Sequence, residues 1–276
     1  MKHEEHSWKT LDGVEIFAQR WAPDGSPRAA VALVHGLGEH SSRYAHVAER
    51  LTADGIALTA FDHRGHGRSG GPRLFAPSYD TVMDDIDHHL EDCRRRFPGV
   101  PVFLYGHSWG GALVLYHSYK RNAGLAGVIA SSPGLQSGIP QPGLKIAAGK
   151  VLSRIAPTLL IPTGFPLEGL TRDKQLLDAA VKDPLMKAGV SARLGVDILA
   201  AGEWIRGHDS FPYPLLIMQG TADQFVDPHT NIEFAERLNG TVTLKTWEGC
   251  LHELQNETVR DQVIGFISQW LKQQLR

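Results

Sequence analysis

The segment Gly106-His107-Ser108-Trp109-Gly110-Gly111 places one serine between flanking glycines. A serine hydroxyl is a poor nucleophile until a base takes its proton, so the segment has chemical meaning only where a fold presents the hydroxyl and supplies that base. Its surroundings suit presentation. Pro101–Tyr105 reads as a strand and Ala112–Lys120 as a helix, and strand, sharp turn and helix is the setting G-x-S-x-G requires. Glycines two before and two after the serine let backbone approach closely while the serine takes a strained conformation, with Oγ near the positive end of the following helix. The plainer reading, a structural turn in a Gly-rich chain, does not explain both flanks.

Acyl transfer at such a serine needs donors for the developing oxyanion. One is the N–H of the residue after the nucleophile, Trp109, and the other comes from the loop after an early strand. Val31–Val34 is followed by His35-Gly36-Leu37-Gly38-Glu39, and Leu37 is the candidate. His35 reads as a loop-fixing residue rather than a base.

The acid follows a late strand, and Pro214–Met218 runs into Gln219-Gly220-Thr221-Ala222-Asp223-Gln224-Phe225-Val226-Asp227-Pro228. Two aspartates compete there. Asp227 precedes Pro228 at the start of a helical pattern, so N-capping accounts for it. Asp223 has no such local duty and is the better candidate. The base follows the last strand, Val242–Trp247, in Glu248-Gly249-Cys250-Leu251-His252-Glu253. His252 is the only histidine beyond His229, which lies inside the helix opened by Pro228. Ser108, Asp223 and His252 then follow the chain order nucleophile, acid, base. This chemistry needs no metal or organic cofactor.

Other clusters carry less. Arg94-Arg95-Arg96 ends a helix that starts with acids and complements its dipole. His88-His89 and Asp84-Asp85 share that helix without converging as a four-ligand metal set. Arg64–Ser69 lacks the lysine of a phosphate loop. A net charge of -2 over 276 residues leaves no general footprint for nucleic acid. Cys93 and Cys250 suggest no disulfide framework. No run reaches the ~18 apolar residues of a spanning helix, and the polar start Met1–His6 lacks the apolar core of a signal peptide. The expectation is a cytoplasmic protein whose membrane contact is at most peripheral.

Positioning three distant side chains requires a scaffold. Ser7–Thr10 and Val14–Trp21 flank Leu11-Asp12-Gly13, a hairpin signal. Continuous apolar runs at Ala29–Val34, Ile56–Phe61, Val102–Tyr105, Gly127–Ala130, Leu215–Met218 and Val242–Trp247 fit strands buried on both faces. Helical patterns fill most intervals: Tyr44–Ala53, Tyr79–Phe97, Gly110–Arg121, Pro228–Leu238 and Thr258–Leu275. The class is therefore α/β, a mostly parallel central sheet flanked by helices. From Pro133 to Gly207 no strand is evident, whereas Leu144–Ile155, Asp173–Lys187 and Ala192–Trp204 read as helices. Residues 133–207 are expected to form an inserted helical cap, and 1–132 with 208–276 the core; a long excursion packed on that core is the alternative.

Taken together, His35–Tyr44, Asp62–Ser69, Gly106–Gly111, Gln219–Asp223 and Glu248–His252 resemble the monoacylglycerol lipases, within the lysophospholipase-like branch of the α/β-hydrolases. The H-G-x-G-E-H-x-x-R-Y pattern at residues 35–44 points to that family in particular. The resemblance implies a small lipid ester as substrate, most directly a monoacylglycerol. It also implies that Glu39 and Arg43 help seat the glycerol, and that an apolar channel lies under a mobile cap touching membranes. Gln255 departs from the family, which has a histidine there. The segment Ile155–Pro162 is apolar enough to line a channel or face lipid, and equally to be cap core. A carboxylesterase or lysophospholipase with the same triad, and a noncatalytic ligand-binding module on the same fold, are the rival functions.

Overall fold

The computed structural model describes residues 1–275. The apolar runs become strands whose side chains are buried on both faces: β3 (Ala29–Val34), β4 (Ile56–Phe61), β5 (Val102–His107), β6 (Gly127–Ser131) and β9 (Leu215–Gly220) have no exposed residue. Ahead of them, β1 (Lys2–Lys9) and β2 (Glu15–Ala22) form the hairpin, and β7 (Leu160–Ile161), β8 (Val190–Ser191) and β10 (Val242–Trp247) complete the strands. The main sheet runs β1-β2-β4-β3-β5-β6-β9-β10. Its hairpin joins β4 antiparallel, and every pairing from β4 to β10 is parallel.

Helices cover both faces, as parallel strands joined by crossovers require. Val47, Ala48 and Leu51 of α1 (Ala45–Ala53) share one core layer with Val263, Ile267 and Leu271 of α8 (Arg260–Gln274). On the opposite face lie α2 (Tyr79–Arg96), α3 (Trp109–Lys120), α6 (Ala192–Arg206) and α7 (Pro228–Arg237). The remaining helices, α4 (Gly143–Ile155) and α5 (Lys174–Lys182), belong with β7, β8 and α6 to the stretch between β6 and β9.

Three details differ from expectation. Strand β1 begins at Lys2, well before Ser7: it is an edge strand with most side chains exposed, so its polar residues carry no apolar alternation. The stretch read as helix from Asp173 to Lys187 stops at Lys182, because Pro184 disfavours helical backbone at Asp183. The interval from Pro133 to Gly207 contains the two-residue pair β7–β8, too short to leave a period-2 pattern. Cys93 and Cys250 are both buried and unpaired.

Candidate active site

Ser108 sits between β5 and α3 with φ 56° and ψ -120°, a region that side chains rarely occupy. The glycines make this turn sterically feasible. A Cβ at Gly106 would lie 2.1 Å from the Gly110 carbonyl oxygen, and one at Gly110 would lie 2.1 Å from the Val34 oxygen. The Ser108 N–H donates to the Ser131 carbonyl (2.9 Å), and its own carbonyl accepts from Ala112 and Gly134. The hydroxyl therefore stands at the carboxyl end of the sheet on a backbone fixed from both sides.

The loops after β9 and β10 converge on that hydroxyl. His252 Nε2 is 2.8 Å from Ser108 Oγ, and Nδ1 is 2.8 Å from Asp223 Oδ2. The other Asp223 oxygen accepts the N–H groups of Phe225 (2.8 Å) and Val226 (3.1 Å), and Gln219 Nε2 donates to Oδ2 at 3.2 Å. Burial alone would raise the Asp223 carboxyl, but His252 and the two backbone donors outweigh it and hold it below its ordinary value. For His252, burial favours the neutral ring. The Asp223 carboxylate, aided by Glu253 and Glu39, overrides that and raises its pKa.

Ser108, His252 and Phe225 line the floor of a cavity of about 290 Å³ with largely apolar walls, and Asp223 lies behind His252. Leu37, Ile146, Phe165, Val196, Leu199 and Phe225 are among the apolar residues lining it, while Ser108, His252, Glu39, Glu253 and His107 bring polar groups to it. An apolar-walled cavity ending in a hydrogen-bonded nucleophile suits an amphiphile with an apolar chain and a polar reacting end.

The family model described as serine aminopeptidase, S33, matches residues 25–259. Human monoglyceride lipase is 33% identical over 273 residues, covering 95% of this chain and 88% of that protein. An uncharacterised abhydrolase domain-containing protein of Dictyostelium discoideum is 32% identical over 270 residues, 96% of this chain but 28% of its own length. The crystal structure of Paleococcus ferrophilus monoacylglycerol lipase matches with a TM-score of 0.86 at 31% identity, covering 94% of this chain and 99% of that one. The chain is a monoacylglycerol lipase-like α/β-hydrolase.

In this hydrolase the loop after β3 lies against the nucleophile: a Cβ at Gly36 would come within 3.1 Å of Ser108 Cβ. Leu37 and Trp109 both line the cavity. Trp109 opens α3, so its N–H has no partner carbonyl within the helix. His35 is indeed spent on the loops, bonding the Gly36 carbonyl through Nδ1 and accepting the His63 N–H at Nε2 (3.0 Å). Asp227 caps α7, accepting from His229 N–H and the Thr230 hydroxyl.

Glu39 and Arg43 separate in role. Glu39 reaches the cavity, whereas Arg43 does not line it. The guanidinium is engaged behind the floor, with Nη1 3.0 Å from Glu39 Oε2 and its two terminal nitrogens bidentate on Glu253. Arg43 therefore bears on the cavity through the two carboxylates it holds in place, Glu39 and Glu253. Glu253 was missed in the sequence as a site residue, although it adjoins His252. Two further residues were missed. The Ser132 hydroxyl holds the His252 carbonyl at 2.9 Å, and Phe225 stacks on the imidazole. Beside them, burial and the neighbouring His252 push His107 down to about 4, so it is neutral near pH 7.

Proposed function

We propose that the chain hydrolyses monoacylglycerols to glycerol and a fatty acid, with Ser108 as nucleophile, His252 as base and Asp223 as orienter. The observation carrying this reading is the unbroken hydrogen-bond chain Ser108–His252–Asp223, whose first two members line an apolar cavity. The names of the human and Paleococcus ferrophilus relatives, a monoglyceride lipase and a monoacylglycerol lipase, support the substrate. Ser108 Oγ attacks the ester carbonyl while its proton passes to His252 Nε2, and the imidazolium faces Asp223. The carbonyl oxygen takes the negative charge against the N–H groups of Leu37 and Trp109. Collapse breaks the bond to the alcohol oxygen, which receives the proton from His252 and leaves as glycerol. Water then gives a proton to His252 and attacks the acyl carbon. Return of that proton to Ser108 Oγ releases the fatty acid.

Residues 133–207 serve in this reading as a cap over the channel. Ile146 of α4, Val190 of β8 and Val196 of α6 line the cavity from that segment. The outer side of the same segment exposes large apolar side chains, Leu144, Val151 and Ile155 among them, and peripheral contact with a lipid surface would bring the channel mouth to its substrate. No helix among the described residues is long and apolar enough to cross a membrane. Glycerol release from 1-oleoylglycerol, measured beside lysophosphatidylcholine and p-nitrophenyl butyrate, tests the function. Turnover of the last two without release from the first would replace it by a lysophospholipase or carboxylesterase. Failure of a fluorophosphonate to label Ser108 in folded protein would favour a noncatalytic binding module.

A further inference from the structure

The acidic part of the floor has a charge pattern that the hydrolytic chemistry does not require. Glu39 and Glu253 are both buried and both line the cavity, yet they share a single guanidinium, Arg43, which stands away from it. Burial favours the neutral acids. The Arg43 charge prevails over it, holding Glu39 below its ordinary value and Glu253 at about 2, so both are ionised near neutral pH. His107 beside them is neutral. Two negative charges set against one positive leave this part of the floor with a net charge of about -1, beside the ionised Asp223, in a poorly solvated site. The lysines that line the cavity, Lys145 and Lys187, belong to the exposed rim, where solvent screens them.

Hydrogen bonding points the same way. An ionised carboxylate only accepts, and offers about four lone-pair sites. Glu39 accepts from the Gly36 N–H (2.6 Å), the Tyr44 hydroxyl (2.8 Å) and Arg43. Glu253 accepts twice from Arg43 and once from Asn256 Nδ2 (2.9 Å). Each therefore keeps about one acceptor site for a further donor. A hydroxyl can fill that site, whereas a phosphate dianion has no proton to offer and adds its own charge.

We infer that Glu253, paired with Glu39, makes the leaving-group end of the cavity selective for uncharged polyols and excludes head groups bearing a phosphate. The inference rests on the lipid-ester reading of the same cavity and narrows its substrate class. It identifies Glu253 as a specificity-determining residue, with Arg43 as the counter-charge that lets two carboxylates remain ionised side by side.

Competition tests this without requiring turnover of the lipid. With p-nitrophenyl butyrate as reporter, 1-oleoylglycerol and 1-oleoylglycerol 3-phosphate are compared as inhibitors below their aggregation concentrations. Like-charge placement in a buried site predicts that the phosphate lipid needs about a hundredfold higher concentration for half-inhibition. Glu253→Gln should narrow that gap about tenfold, and the charge-retaining Glu253→Asp should preserve it. Equal inhibition of the unsubstituted protein by the two lipids overturns the inference even if neither variant folds. So does an unchanged gap in folded Glu253→Gln. A protein that binds 1-oleoylglycerol selectively but never cleaves it would refute the proposed activity and leave this selectivity standing.

Discussion

The Phe225 ring lies flat on the His252 imidazole, with centroids 4.7 Å apart and planes 11° from parallel. Phe225 is placed by the Asp223 turn, since its N–H donates to Asp223 Oδ1, and Phe165 also stacks with the Phe225 ring, their centroids 4.8 Å apart. The aromatic face thus meets the base on the element that also supplies the acid. When His252 gains the serine proton, that face favours the cation.

Phe225→Ala should therefore lower kcat by about two- to twelvefold, the rate equivalent of the 0.5–1.5 kcal/mol carried by an aromatic pair. The pH at which activity is half lost should also move down, because the imidazolium loses a stabilising contact. Stopped-flow esterase assays across pH check both. A fall in kcat with an unmoved pH profile would assign Phe225 to packing alone.

The two aspartates of the β9–α7 loop should separate cleanly. Asp223→Ala removes the partner of His252 Nδ1 and should cut kcat by about four orders of magnitude, with little loss of fold. Asp227→Ala removes the α7 cap and should cost about 1 kcal/mol of stability, a fall in Tm of about 2–4 °C, with kcat nearly intact. Paired kinetics and calorimetry decide between the two roles. An inactive Asp227→Ala beside an active Asp223→Ala would exchange them.

The pH dependence follows from the raised His252 pKa. The base must be neutral in the free enzyme, so kcat/KM falls as pH drops through that pKa. With Asp223 as the main charge raising it, the acid limb should lie above the ordinary histidine value of about 6.5. Asp223→Asn should shift the limb toward lower pH in its residual activity, and Glu253→Gln should shift it the same way by less. A limb below the ordinary value in the unsubstituted protein would mean that burial outweighs the carboxylates.

How far the sequence revealed this arrangement depended on how local each signal was. Parallel strands are buried on both faces, so β3, β4, β5, β6 and β9 stand out as continuous apolar runs, whereas the half-buried β10 and the exposed edge β1 are weaker patterns. Ser108 was legible because its strand, glycines and helix are contiguous in the chain, even though Gly110 makes room for the distant Val34 carbonyl, and Asp223 because Asp227 already had a local duty as a cap. Glu253, Ser132 and Phe225 were not, since each matters through a partner brought near only by folding. Arg43 and Glu253 stand 210 positions apart, and no local spacing marks their pairing. Gln255 departs from the resembled family and is buried, with its side-chain amide unpartnered among the described residues.

The outer face of the 133–207 segment yields the last prediction. Eight of the ten large apolar side chains that stand exposed among the described residues lie between Leu144 and Leu199. On α4, Leu144, Val151 and Ile155 fall on one side of the helix, with Leu144 84% and Ile155 73% exposed, and α4 has no buried residue. Lys145, Lys150 and Arg154 on the same helix add positive charge, as interfacial helices do. Fully burying one such side chain is worth about 1.5–3 kcal/mol, so partial insertion of two should dominate a weak surface affinity. Leu144→Ser combined with Ile155→Ser should reduce cosedimentation with phosphatidylcholine vesicles at least about tenfold. Neither residue lines the cavity, so turnover of a short soluble ester should persist in the double variant. Vesicle binding equal to that of the unsubstituted protein would remove α4 from the lipid contact and leave its apolar face unexplained by membrane docking.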